Sequence, residues 1–98
     1  MRGARRLGLL AAGLILGIEA DPSTHWSIAC VVSAGGVSHD VVQNGAGPLQ
    51  LGLPGNRADC TAVLHTGDRM SLTVTDQRGN LSRSTMSGAG SRVRLRVG

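Results

Sequence analysis

Lysine, phenylalanine and tyrosine are absent from this chain, and Trp26 is its single aromatic residue. Proteins that grip nucleic acid cover phosphates with Lys and Arg and stack bases on aromatic rings, so no nucleic-acid partner is expected. Sugar-binding platforms likewise rely on several aromatic rings, which leaves Trp26 as a core residue. Glutamate occurs only at Glu19, so paired carboxylates for glycosidic chemistry would have to be aspartates alone. Cys30 and Cys60 are the only cysteines. They form no Cys-x-x-Cys motif that would tune a thiolate, and no closely spaced set that would hold zinc. His25, His39 and His65 lack the short spacings of metal-binding histidines, and no serine sits in a Gly-x-Ser-x-Gly elbow. The expectation is a protein without catalysis, metal or cofactor.

The N-terminus has a definite layout. Arg2, Arg5 and Arg6 precede an apolar run over 7–18, and the small residue Ala20 closes the segment. A basic start, a short apolar stretch and a small residue at the cut make a secretory signal peptide. The expected organisation is a helical signal segment over 1–20 and a single domain over 21–98, periplasmic or extracellular. Glu19, Asp21 and Pro22 end the apolar run short of the ~20 residues that a transmembrane helix needs, so no membrane span remains after cleavage. Removal of 1–20 takes three arginines and Glu19, leaving seven arginines against five aspartates.

In an oxidising compartment the two cysteines have one intramolecular pairing open to them. A Cys30–Cys60 disulfide closes a loop worth roughly 3–4 kcal/mol in the chain-entropy description. A domain this small often requires such a staple. Both cysteines are expected to point inward and to join the first and fourth strands of the domain between facing sheets.

Period-two patterning dominates after residue 25. Trp26, Ile28, Cys30 and Val32 fall on one face of a strand, and Ala34-Gly35-Gly36 turns the chain into a return strand over 37–43. Leu49, Leu51 and Leu53 alternate with polar or small residues, and Cys60, Ala62 and Leu64 share one face of a further short strand. Met70, Leu72 and Val74 mark another strand, ended by Asp76-Gln77-Arg78-Gly79-Asn80. Asp at the first position and Gly at the fourth suit a type I turn followed by a left-handed residue, the turn of a tight hairpin. The strand over 81–87 is polar on both faces and is expected at a sheet edge or to be partly irregular. Ser87-Gly88-Ala89-Gly90 bends the chain into Val93, Leu95 and Val97, which alternate with Arg92, Arg94 and Arg96. The pattern describes an all-β fold, a small antiparallel β-sandwich or small barrel of six to seven strands.

The segment from Leu64 to Leu81 resembles the last hairpin of bacterial immunoglobulin-like domains. The resemblance is carried by Gly67-Asp68, by Leu72-Thr73-Val74-Thr75-Asp76 and by Gly79-Asn80. It implies an immunoglobulin-like sandwich with an adhesive, structural or partner-binding role, and it brings no catalytic residues. Met70 stands where that family usually has an aromatic residue.

Arg92, Arg94 and Arg96 line one face of the last strand at intervals of about 6–7 Å, with Arg83 expected nearby. These four are the candidate partner-binding residues, because guanidinium groups bind carboxylate and phosphate bidentately. The expected partner is a protein or an anionic component of the cell envelope. The expected function is that of an exported, non-enzymatic binding or structural domain. The alternative is a periplasmic inhibitor or immunity-type protein that blocks one target enzyme.

Overall fold

The computed structural model describes residues 13–98. Eight strands run through them: β1 (Leu14–Ala20), β2 (His25–Ala34), β3 (Val37–Ala46), β4 (Leu49–Leu53), β5 (Arg57–Thr66), β6 (Arg69–Thr75), β7 (Leu81–Ser87) and β8 (Arg92–Val97). They form two four-stranded antiparallel sheets, ordered β4-β1-β6-β7 and β3-β2-β5-β8, packed as a sandwich. The described residues contain no helix, and none that could cross a membrane.

Alternation decides which side chains meet between the sheets. Trp26, Ile28, Cys30 and Val32 of β2 point inward with Ala58, Cys60, Ala62 and Leu64 of β5. Met70, Leu72 and Val74 of β6 meet them from the other sheet, and Val93, Leu95 and Val97 pack at the margin. Trp26 is buried, as expected, and its Nε1 donates to the Gly47 carbonyl at 2.9 Å. That bond satisfies the one polar group an inward tryptophan carries.

Two expectations are corrected here. The strands number eight among the described residues, rather than six or seven, because Leu14–Ala20 is a strand of the sandwich. It lies between β4 and β6, with Leu14, Leu16 and Ile18 at most 2% exposed. Residues 14–20, expected within the signal segment, are thus a strand of the described sandwich. The reason is physical. Leu14, Leu16 and Ile18 alternate with Ile15, Gly17 and Glu19, and a short apolar run looks alike whether it is a signal core or a buried strand. The rest of the expected signal helix, residues 1–12, lies outside the described residues.

The second correction concerns the disulfide. Cys30 and Cys60 are bonded, but they are direct neighbours on adjacent strands β2 and β5 of one sheet, with Cα atoms 4.0 Å apart. The bridge reinforces one ladder from its inner side and does not tie the two sheets together.

Both expected hairpins are present. Ala34 faces Val37 across the Gly35-Gly36 loop, and Thr75 faces Leu81 across the Asp76–Asn80 turn. In that turn the Gly79 amide donates to the Asp76 carbonyl at 3.1 Å, with Gly79 at φ +88°. The Asp76 carboxylate accepts the amides of Arg78 and Asn80. Those bonds, the one from Asn80 foremost, hold its carboxyl below the usual range. Strand β7 lies at a sheet edge, as its polar faces indicated.

Candidate interaction face

With Trp26, Ile28, Cys30 and Val32 turned inward, the residues between them face solvent. The outer surface of the β3-β2-β5-β8 sheet can be read as rows across the strands. Asp40, Val31, Asp59 and Arg96 form one row, and Val42, Ala29, Thr61 and Arg94 form the next. The following row is Asn44, Ser27, Val63 and Arg92.

Arg92, Arg94 and Arg96 thus share the outer face, as expected. Arg83 does not join them. It stands opposite Thr73 on the outward side of β7, in the other sheet. Asp59, which sequence patterning did not connect to the row, stands across from its Arg96 end. Arg94 donates from Nε to Asp59 Oδ1 at 2.8 Å and from Nη2 to Oδ2 at 2.5 Å. Arg96 Nε reaches Oδ2 at 3.4 Å. Arg94, by hydrogen bonding and by its charge, pulls the Asp59 carboxyl down to about 2, with a smaller contribution from Arg96. One carboxylate against three guanidinium groups leaves the strand positive, and Arg92 has no ion pair among the described residues.

Beside the arginines the face carries exposed valines among polar residues. Val31 is 47% exposed and Val42 67% exposed. Together with the small Ala29 they floor an open hollow of about 460 Å³, bordered by Asp40 on one side and by Asp59 and Arg94 on the other. A sequence signal for this strip exists. Val31-Val32 and Val41-Val42 are adjacent β-branched pairs, and only one member of such a pair can face the core of a sandwich.

The histidines lie apart from this hollow. His65 Nε2 shares a hydrogen bond of 2.8 Å with Ser27 Oγ, and His25 Nδ1 one of 2.9 Å with Thr66 Oγ1. Among the described residues no three metal-ligating side chains come together. The Ser27–His65 pair lacks the third group that orients the base of a nucleophilic triad, since no carboxylate is bonded to His65 among the described residues. What the face offers chemically is recognition: an apolar floor, a fixed ion pair, and the Arg92 guanidinium standing clear of it.

No family model, curated protein or solved structure matches the chain.

Proposed function

We propose that this chain is an exported, non-enzymatic β-domain that binds a protein or an anionic envelope component, in the cell envelope or outside the cell. The observation that carries the reading is the Cys30–Cys60 disulfide, both of whose cysteines are at most 2% exposed. A disulfide of this kind forms and persists where the surroundings are oxidising. The binding role rests on the outer face of the β3-β2-β5-β8 sheet, where Arg92 and Arg96 offer anion-binding groups beside exposed valines. The segment from Leu64 to Leu81 resembles the last hairpin of bacterial immunoglobulin-like domains. That supports an adhesive or structural version of the same role.

The test joins compartment and face. The protein is recovered from extracytoplasmic fractions and its intact mass is measured with and without a thiol-alkylating reagent. A mass two hydrogens below the reduced value, inert to alkylation, is the expected result. The same preparation is then bound to envelope fractions, with Arg92→Ala/Arg96→Ala as the comparison. Loss of binding by a variant that keeps its melting temperature supports the role. Two free thiols in a cytoplasmic protein overturn it, and a tight one-to-one complex with a single hydrolase favours the inhibitor reading instead.

A further inference from the structure

The four sheet edges of this sandwich are not alike. An edge strand presents unpaired amides and carbonyls to any other chain, and proteins protect such edges with short strands, prolines, bulges or charged side chains, lysine above all. Strand β4 is five residues long and lies between Pro48 and Pro54. Strand β8 carries Arg92, Arg94 and Arg96 outward, and β7 carries Arg83. Strand β3 has one such side chain, the carboxylate of Asp40. It is ten residues long, pairs with β2 without a register shift, and contains no proline, lysine or arginine. Its only ladder partner among the described residues is β2.

We propose that β3 is a self-association edge, on which β3 of a second copy of this chain pairs antiparallel about a twofold axis at Val42. The backbone geometry sets which groups are available. Cys30 and Cys60 face each other with a Cα separation of 4.0 Å, the close spacing of a non-hydrogen-bonded antiparallel pair. The amide and carbonyl of Cys30 therefore point away from β5, toward its partner Val41 on β3. Val41 returns its own groups to β2, and alternation turns those of Ser38, Asp40, Val42 and Asn44 out of the open edge.

The side chains then select the register. Residues opposite one another across an antiparallel pair share a face, so Val41 cannot meet Val42, and self-pairing that brings valine onto valine centres on one or the other. Centring on Val41 sets the Asp40 carboxylate against Val42 of the second copy. Centring on Val42 sets valine on valine, a favourable β-branched cross-strand pair, and places Asp40 opposite Asn44, whose amide donates to a carboxylate. No charge meets its like. The pairing extends the β3-β2-β5-β8 sheet through both copies and covers Val42, the most exposed large apolar side chain among the described residues. Self-association of this kind stands independently of what the arginine row binds.

Sedimentation equilibrium of the full chain, with amide exchange measured at low and high concentration, tests the proposal. The mass is expected to rise from one chain toward two with concentration, while the amides of Asp40, Val42 and Asn44 become protected together. Val42→Pro removes an amide that points out of the edge and leaves the β2 ladder whole, and Val42→Arg opposes two positive charges at the axis. Both variants are expected to stay monomeric with the melting transition retained. Val31→Arg, on the same face but one strand inward, is expected to dimerise as the parent chain does. A single-chain mass at every concentration overturns the proposal, and so does a dimer that survives Val42→Arg. Loss of the dimer in Val31→Arg puts the contact on the sheet face instead. Protection of the β3 amides in a monomer puts another segment of the same chain on the edge.

Discussion

Asp59 grips Arg94, its diagonal neighbour on β8, although Arg96 is the residue directly across from it. The diagonal choice gives Asp59 a two-point contact with the Arg94 guanidinium and leaves Arg96 a single longer one at 3.4 Å. Planar two-point pairing is the strong form of this interaction. It fixes Arg94 over the sheet while Arg92 remains unpaired among the described residues. The three arginines are therefore not equivalent, and an anionic partner would engage Arg92 and Arg96 before displacing Arg94.

The pH dependence of the pair follows from its sign. The Asp59 carboxyl is lowered to about 2 in the folded protein, chiefly by its hydrogen bonds with Arg94. A carboxyl depressed by folding contributes stability above its unfolded value, about 3.9, and that contribution is lost as pH falls from there through the folded value. Arg94→Ala is expected to move the Asp59 carboxyl back toward the usual carboxylate range, whereas Arg92→Ala leaves it in place. Carboxyl chemical shifts followed by NMR between neutral and strongly acidic pH measure this directly. An Asp59 midpoint unchanged in Arg94→Ala would refute the assignment.

The disulfide makes a different prediction. Cys30 and Cys60 sit in a ladder that already holds β2 to β5, and both sulfurs are buried. Removing a native disulfide from a small domain typically costs about 2–5 kcal/mol. Cys30→Ala/Cys60→Ala is expected to lose stability in that range and keep the fold. The paired serine variant is expected to be less stable, because two hydroxyls enter an apolar layer and a buried hydroxyl left without a partner costs about 1–3 kcal/mol. Urea unfolding of the two double variants ranks them.

Gly55 marks where two backbones meet. A Cβ built there would lie 2.5 Å from the Ser33 carbonyl oxygen and 2.6 Å from Val32 Cγ1. The Asn56 amide donates to that same carbonyl at 3.1 Å, so the chain cannot back away without losing the bond. Gly55→Ala is expected to destabilise the domain by about 1–3 kcal/mol, as overpacking in a filled interior does. Gly79→Ala, where nothing lies within 4 Å of the added carbon, is expected to cost only the strain of a side chain at φ +88°. Thermal melts of the two variants separate crowding from backbone strain.

Much of the fold was legible because alternation is local. Trp26 to Val32, Cys60 to Leu64, Met70 to Val74 and Val93 to Val97 each announce a strand and its inner face. Hairpins β2–β3 and β6–β7 were legible from Gly35-Gly36 and from Asp76 to Asn80. The remaining neighbours were not. Strand β5 lies between β2 and β8, and β1 between β4 and β6; these pairings join distant segments through packing that no local pattern encodes. The same gap explains the site. Arg92, Arg94 and Arg96 share a strand and were seen together, but Asp59 reaches them only through the β5–β8 register. Nearness in sequence suggests Arg83 as a fourth member, which the crossing from one sheet to the other between β7 and β8 undoes. The outward Val42 was hidden because either valine of the pair could have been the inward one.

Strand β1 supplies the sharpest prediction. Burying a leucine or isoleucine side chain contributes about 1.5–3 kcal/mol, so Leu14, Leu16 and Ile18 together match much of the ~5–15 kcal/mol that holds a small domain folded. Without β1, strands β4 and β6 lose the partner on both of their shared ladders, and Leu53, Leu72 and Val74 lose their cover. A chain beginning at Asp21 is therefore expected to lack a cooperative melt and a dispersed amide spectrum, while one beginning at Gly13 shows both. Leu16→Ala in the full chain is expected to cost about 2–5 kcal/mol, the range for a large-to-small change in a packed core. If the protein is exported with cleavage, sequencing of its mature N-terminus is expected to find the cut ahead of Leu14. A folded, cooperative domain starting at Asp21 would show instead that the two sheets close without β1, and that the apolar alternation from Leu14 to Ile18 serves only the leader.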